Sequence, residues 1–281
     1  APGADAARIL TRQPPECFRR PTDPERAYSA ELGRAAFRTP LLLGGQAARA
    51  GVACETCHRN GRTNPDFDFP GLSGAPGTAD VTSSLFSSHR GDGVDNPKPI
   101  PDLGGPKSAL KIDQDPASPA LETFIHGLVT QEFDGAEPPP AVLKGLADYV
   151  RSMDPAACAE KREEYVGLAM QMADSQRAVS AAVQALDRQD QGAAVLMILA
   201  ARSEVGLMAE RYAGRRLAQE RRWIQLADLK LSRAAGMARA RDFAVAAKSL
   251  RAWRFDSLNL ERRLRTHERF SLYQAANLAV R

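Results

Sequence analysis

Cys54, Cys57 and His58 carry the most specific chemistry in this chain, in the run Cys54-Glu55-Thr56-Cys57-His58. Two thiols three positions apart, followed directly by an imidazole, have the spacing of covalent c-type haem attachment. The sulfurs add to the two vinyl groups on one edge of the porphyrin, and the adjoining imidazole binds iron from the proximal side. A redox disulfide would need the pair at a strand-to-helix turn, and a zinc site would need a second Cys/His pair. The sequence shows neither. The expected cofactor is one covalent haem c, with His58 as proximal iron ligand.

The opposite face of the iron decides between a carrier of electrons and a site for small molecules. Of the remaining histidines, His89 lies in a loop about 31 residues beyond His58 and is the first choice for the distal position. His126 is the second choice, and His267 falls on a polar helical stretch. Met153 is the only methionine in the first half, so a loop-borne methionine ligand has no candidate. Lys98, Lys107 and Lys111 are the loop lysines left for an amine-ligated iron, the remaining option being an open or water-bound one. Arg49 and Arg90 are expected partners of the haem propionates, because guanidinium pairs bidentately with carboxylate. Glu132 and Asp134 are weaker candidates for distal acid–base groups.

Two more cysteines, Cys17 and Cys158, flank this region. A bond between them would close a loop of ~140 residues and stabilise the fold by roughly 4–5 kcal/mol in the chain-entropy picture. Disulfides and haem c both point to an exported, periplasmic setting with any signal peptide already removed.

Proline marks where the chain changes character. All 19 prolines lie at or before Pro155, and 16 of the 21 glycines precede Glu160, so the first half must be rich in turns. Short helices are expected over residues 27–38, 119–128 and 139–153, with a helical turn at 54–59. Beyond Pro155 helix-forming Ala, Leu, Arg, Gln and Glu dominate. Apolar residues recur there at helical steps, as in Tyr165, Leu168, Met172 and Val179, or Leu217, Ile224, Leu229 and Leu231. Breaks at 187–192, near Gly214, near Asp242 and at Asp256 divide this half into four or five helices of an antiparallel bundle. Its methionines and tryptophans are expected in the core. The fold class is thus all-α: an N-terminal arm (1–26), a loop-rich monohaem cytochrome c-type domain (27–158) and a helical bundle (159–281).

Charge follows the same division. The net charge is +4, but residues 160–281 carry 22 basic against 14 acidic side chains, leaving the first 159 residues net negative. A basic helical half suits an acidic partner. The longest unbroken apolar run, residues 193–201, is too short to span a bilayer, so no transmembrane segment is expected. No phosphate loop, Ser/His/Asp set or nucleic-acid module is present.

The sequence around the motif resembles the bacterial dihaem cytochrome c peroxidase family, which includes enzymes of methylamine utilisation. The likeness lies in Leu32-Gly33-Arg34-Ala35-Ala36-Phe37, in Pro40-Leu41-Leu42-Leu43-Gly44-Gly45, and in Ala50-Gly51-Val52-Ala53 before Cys54. It continues in residues 92–103, in Phe124-Ile125-His126-Gly127-Leu128 and in Asp148-Tyr149-Val150-Arg151, covering about residues 27–155. The resemblance implies the domain fold and the proximal site. Two departures set the chain apart: it has one attachment motif where the family has two, and residues 104–116 hold no His, Met or Tyr. The expected function is electron transfer by an exported monohaem cytochrome to a redox partner of acidic character. The basic helical domain would serve docking, assembly or oligomerisation, and a peroxidase-like enzyme with an open distal site is the alternative.

Overall fold

The computed structural model describes residues 2–159 and 163–278. The chain is 60% helix and 4% strand, which places it in the all-α class. It forms two compact units, one of residues Pro14–Arg162 and one of Ala1–Gln13 with Glu163–Arg281. The expected N-terminal arm, 1–26, is thus divided after Gln13, its first part joining the C-terminal helices and the rest the motif-bearing unit. Helix α1 (Pro2–Thr11) leads into strand β1 (Arg12–Gln13), which pairs antiparallel with Glu164–Tyr165. Arg211 also donates to the Leu10 carbonyl at 2.9 Å. Backbone pairing thus decides the allegiance of this segment, and composition gave no sign of it.

In the unit of residues 14–162, helix α2 (Pro24–Phe37) starts where Asp23 accepts from the Arg26 amide at 2.8 Å and Pro24 takes the first turn. Short helices α3 (Pro40–Leu43), α4 (Gly45–Arg49) and α5 (Cys54–Cys57) follow. A long irregular stretch is tied by the two-residue strands β2 (Thr78–Ala79) and β3 (Lys98–Pro99). Helix α6 (Ala120–Gly127) runs into a π-helical segment, Leu128–Glu132, and α7 (Pro140–Arg151) closes the unit.

Helices α2 and α7 cross at glycine. A Cβ placed on Gly33 would lie 1.9 Å from the Gly145 carbonyl oxygen, so the two backbones touch directly. Beside the crossing, Glu16 is largely shielded from solvent and accepts from Arg34 Nε at 2.9 Å, Arg38 Nη2 at 3.1 Å and the Tyr149 hydroxyl at 2.7 Å. Burial alone would raise this carboxyl, but Arg38 and Arg34 override it and hold it at about 2. A Cys17–Cys158 disulfide joins the two ends of the unit, 141 positions apart.

In the other unit, helices α8 (Leu168–Asp187), α9 (Gln191–Arg211), α10 (Ala218–Arg239) and α11 (Phe243–Arg265) pack in a ring, each against the next and α11 back against α8. Left-handed residues Gln189 and Arg241 turn the chain after α8 and α10, and Asp190 caps α9 by accepting from the Ala193 amide at 2.9 Å. Met172, Met197, Met208 and Trp253 are buried, and Trp253 Nε1 donates to the Ala227 carbonyl at 3.0 Å. Three expectations fail here, and Met170, Trp223 and Met237 are only half-buried. Tyr165 lies in the strand paired with Arg12, before α8 begins, and is exposed. Asp256 does not break a helix: it lies inside α11 and pairs with Lys230 at 2.7 Å. Leu229 is exposed, so the inward stripe of α10 runs through Ile224 and Leu231 without it. Helix α9 is long and apolar enough, by length and composition, to cross a membrane, the one such helix among the described residues, and half of that stretch is buried in this unit.

Candidate functional site

The site begins with the backbone around Cys54. The His58 amide donates to the Cys54 carbonyl at 2.9 Å, and the Ala53 amide donates to the Thr56 hydroxyl at 2.9 Å, fixing one helical turn. Asn60 then takes a left-handed conformation (φ 54°), which asparagine tolerates better than most side chains. Its amide donates to Glu55 Oε1 at 2.8 Å, and its side-chain oxygen accepts from Arg38 Nη2 at 2.9 Å. The motif is thereby anchored through Asn60 and Arg38 to Glu16. No sequence pattern connects those positions.

A second segment, residues 100–104, lies against the motif. Thr63 donates to the Ile100 carbonyl at 2.9 Å, and the Gly104 amide donates to the Gly61 carbonyl at 3.2 Å. Arg62 grips Asp102 with two bonds of 2.7 Å. These contacts carry the Pro101 carbonyl to 3.0 Å from His58 Nδ1. A carbonyl can only accept, so Nδ1 bears the proton and Nε2 keeps its lone pair for a ligand. Burial pushes His58 down to about 4, against the opposing pull of that carbonyl, and keeps the imidazole in its neutral, ligating form. Burial pushes both Cys54 and Cys57 up to about 12, the neighbouring Cys57 adding to the effect on Cys54. Both are free thiols.

Cys54, Cys57 and His58 line a cavity of about 1050 Å³ of empty space, counting its open mouth. Phe37, Leu43 and Val52 enclose the motif side, while Leu121, Phe124 and Ile125 of α6 and Leu146 and Val150 of α7 form another wall. Leu128, Val129 and Phe133 add the π-helical segment and its end. Residues 110–114 contribute Leu110, Lys111, Ile112 and Gln114, so the stretch without His, Met or Tyr is itself cavity wall. Apart from the motif, Lys111 and Gln114 are the polar side chains among the described lining residues. Gln114 Nε2 donates to the Ile112 carbonyl at 2.9 Å, whereas its Oε1 is buried with no hydrogen-bond partner. Such an acceptor costs about 1–3 kcal/mol unless something bound in the cavity donates to it.

The structure does not bring the other expected residues to this cavity. His89 is 64% exposed, with Nε2 3.9 Å from Asp134. His126 bonds Glu137 at 2.8 Å on the outside of α6. His267 belongs to the helical unit and pairs with Glu220 at 2.7 Å. Arg90 bonds Glu132 at 2.6 Å, Asp134 accepts from the Ser88 amide at 2.9 Å, and Arg49 is exposed at the end of α4. Of the loop lysines, Lys107 donates to the Val150 carbonyl at 2.7 Å and Lys98 is exposed in β3, which leaves Lys111 at the cavity. Among the described residues no cluster of three or more His, Cys, Asp or Glu could hold a free metal ion.

No family model, no curated protein and no solved structure matches this chain.

Proposed function

We propose that the chain is an exported monohaem c-type cytochrome that transfers electrons, with its helical unit serving a partner protein. One observation carries this reading: Cys54, Cys57 and a neutral His58, its Nδ1 held by Pro101, share the wall of a large apolar cavity. Covering walls this apolar is stabilising, by about 25 cal/mol for each Å² of hydrocarbon taken from water. An apolar, planar group tethered at the two thiols would cover them, and haem meets both demands.

When bound, the haem would supply a one-electron couple at its iron. Cys54 and Cys57 would hold it irreversibly, and His58 would offer Nε2 from the proximal side. The Arg62–Asp102 pair and Thr63 fix the segment that carries Pro101, and so fix the tautomer of His58. The aliphatic and aromatic walls would keep water from the faces of the group that they cover. Lys111 offers an amine to a carboxylate or to iron, and Gln114 Oε1 an acceptor to a hydrogen-bearing group. The disulfide and the haem linkage both favour an oxidising compartment outside the cytoplasm.

The test is expression with a cytochrome c maturation system. The expected product carries one covalent haem by mass, which Cys54→Ala and Cys57→Ala each reduce to a single thioether, and the double variant abolishes. A chain recovered without covalent haem from cells that mature a control cytochrome would overturn the reading.

A second reading, a peroxidase-like enzyme with an exchangeable distal position, is favoured by the lining itself, where among the described residues no His or Met accompanies His58. Electron paramagnetic resonance of the ferric protein separates the two. A low-spin signal that Lys111→Ala converts to high-spin supports the carrier. A high-spin signal in the parent chain, with ready cyanide binding, supports the enzyme.

A further inference from the structure

The Cys17–Cys158 disulfide touches the clamp that sets the partner of His58. Arg62 donates from Nε and Nη2 to the two oxygens of Asp102, and its remaining nitrogen, Nη1, lies 3.2 Å from Cys17 Sγ and 3.6 Å from Cys158 Sγ. Gly104 rests on the same sulfur: a Cβ added there would stand 3.1 Å from Cys17 Sγ and 2.7 Å from Arg62 Cδ. Its amide donates to Asp102 Oδ1 at 2.9 Å and to the Gly61 carbonyl at 3.2 Å. Both supports of Asp102, the Arg62 fork and the Gly104 amide, therefore lean on Cys17 Sγ. Asp102 adjoins Pro101, whose carbonyl meets His58 Nδ1 at 3.0 Å.

The disulfide has two states, and they support that clamp differently. Reduction breaks the Sγ–Sγ bond: a dithiol delivers two electrons and two protons, two thiols form, and the reductant leaves as its own disulfide. Each new S–H has a carbonyl in reach, Pro15 at 4.0 Å from Cys17 Sγ and Pro155 at 3.6 Å from Cys158 Sγ. Sulfurs no longer bonded part to van der Waals distance as they turn to those carbonyls. Cys17 Sγ would then leave its place against Nη1 and Gly104. Cys17 is fully buried and Cys158 is 7% exposed, yet Cys158 follows Pro155 and Ala156, which face solvent, so a dithiol would reach the bond from that turn.

We propose that the Cys17–Cys158 disulfide is a redox-sensitive switch on the proximal histidine, relayed by Arg62 and operated by a dithiol. Closed, it seats Arg62 on Asp102 and holds the Pro101 carbonyl at His58. Open, it withdraws the seat of the fork and of Gly104, and the Pro101 segment loosens. A slacker bond at Nδ1 makes Nε2 a weaker donor to iron, which disfavours the ferric form and raises the haem potential. The effect on the haem rests on the cytochrome reading, whereas the relay through Arg62 does not.

The test compares the mature chain, its covalent haem counted by mass, with Arg62→Lys, each oxidised or reduced by dithiothreitol that is then removed under nitrogen. Lysine keeps the charge but not the fork. In the parent, reduction should speed hydrogen exchange at the Gly104 amide about tenfold or more and raise the midpoint potential of the haem. Oxidised Arg62→Lys should already show both changes, and reducing it should add little. Circular dichroism follows the fold throughout. A disulfide that only ties the chain ends would lower the urea midpoint on reduction and leave exchange and potential where they were, which would overturn the proposal. So would equal shifts in parent and Arg62→Lys, or a reduced parent that unfolds, since a switch needs a folded open state. Absence of covalent haem would count against the cytochrome reading alone, because Gly104 exchange reads the relay in a haem-free chain as well.

Discussion

Replacing Gly33 by alanine tests the contact that sets the wall of the cavity. The new Cβ would sit 1.9 Å from the Gly145 oxygen, 2.1 Å from its carbonyl carbon and 2.5 Å from the Leu146 nitrogen. Ordinary contact starts at 3.4 Å, so α2 and α7 must part by about 1.5 Å, and the obstructing atoms are backbone that cannot rotate away. Overpacking of this kind costs roughly 1–3 kcal/mol, and rigid atoms place it near the upper end. Alanine gains back about 1 kcal/mol over glycine in a helix. A net loss of about 2 kcal/mol follows, lowering the melting midpoint of the unit by roughly 5–8 °C. Both tryptophans, Trp223 and Trp253, lie in the helical unit. Tryptophan fluorescence therefore follows the helical unit alone, while far-ultraviolet circular dichroism should reveal the shifted transition of the unit that holds Gly33. Gly127→Ala is the control, because a Cβ there meets nothing within 4 Å and should be neutral or stabilising. A Gly33→Ala chain as stable as its parent would refute the close crossing.

Glu16, held at about 2 against an ordinary 4.5, gives the same unit a pH dependence. Its depressed value contributes about 3 kcal/mol that is present above pH 4.5 and lost as the pH falls toward 2. Urea titrations across that window should show Glu16→Gln with a flatter acid limb and a lower plateau at neutral pH, because Arg34 and Arg38 lose their buried counter-charge; an unchanged acid limb would count against it. Reducing Cys17–Cys158, which spans 141 positions, should cost about 5 kcal/mol by chain entropy. A urea midpoint indifferent to reductant would contradict that figure. Asp102→Ala removes the two bonds from Arg62 and the side-chain acceptor of the Gly104 amide, so hydrogen exchange at Gly104 should accelerate. Exchange as slow as in the parent would show that the Pro101 segment is held by other means.

Legibility in the sequence followed the range of the interactions. Local rules placed the turn at Cys54, the helices near residues 27–38, 119–128 and 139–153, and the all-helical second half, because proline, capping and apolar spacing act within a few residues. The Cys17–Cys158 pairing was readable because only two cysteines remained outside the motif. Asp256 misled because aspartate also serves as a mid-helix partner across to Lys230, and its partner lies 26 residues away. His89 misled because a histidine in a long loop carries no mark of direction, and the side chain turns to Asp134. Gln114 had no signal at all, since an orphaned acceptor exists only once Ile112 has taken the other end of the amide. Leu229 fitted a helical period in number but not in phase.

Stability and chemistry in the motif-bearing unit rest on the same few residues. Helix α7 gives Gly145 to the crossing with α2, Tyr149 to Glu16, and Leu146 and Val150 to the cavity wall. Arg38 joins Glu16 on one side to Asn60 on the other, and Asn60 reaches Glu55 inside the motif turn. A shift of α7 at Gly145 must therefore move the wall facing His58 while loosening the anchor behind Cys54. If a group were tethered at the two thiols as proposed and packed against Leu146 and Val150, it would have the reverse effect and resist separation of the helices. Side-chain bonds replace regular pairing between residues 62 and 118: Arg62 on Asp102 and Thr63 on the Ile100 carbonyl fix the segment whose Pro101 carbonyl holds one imidazole in a fixed tautomer.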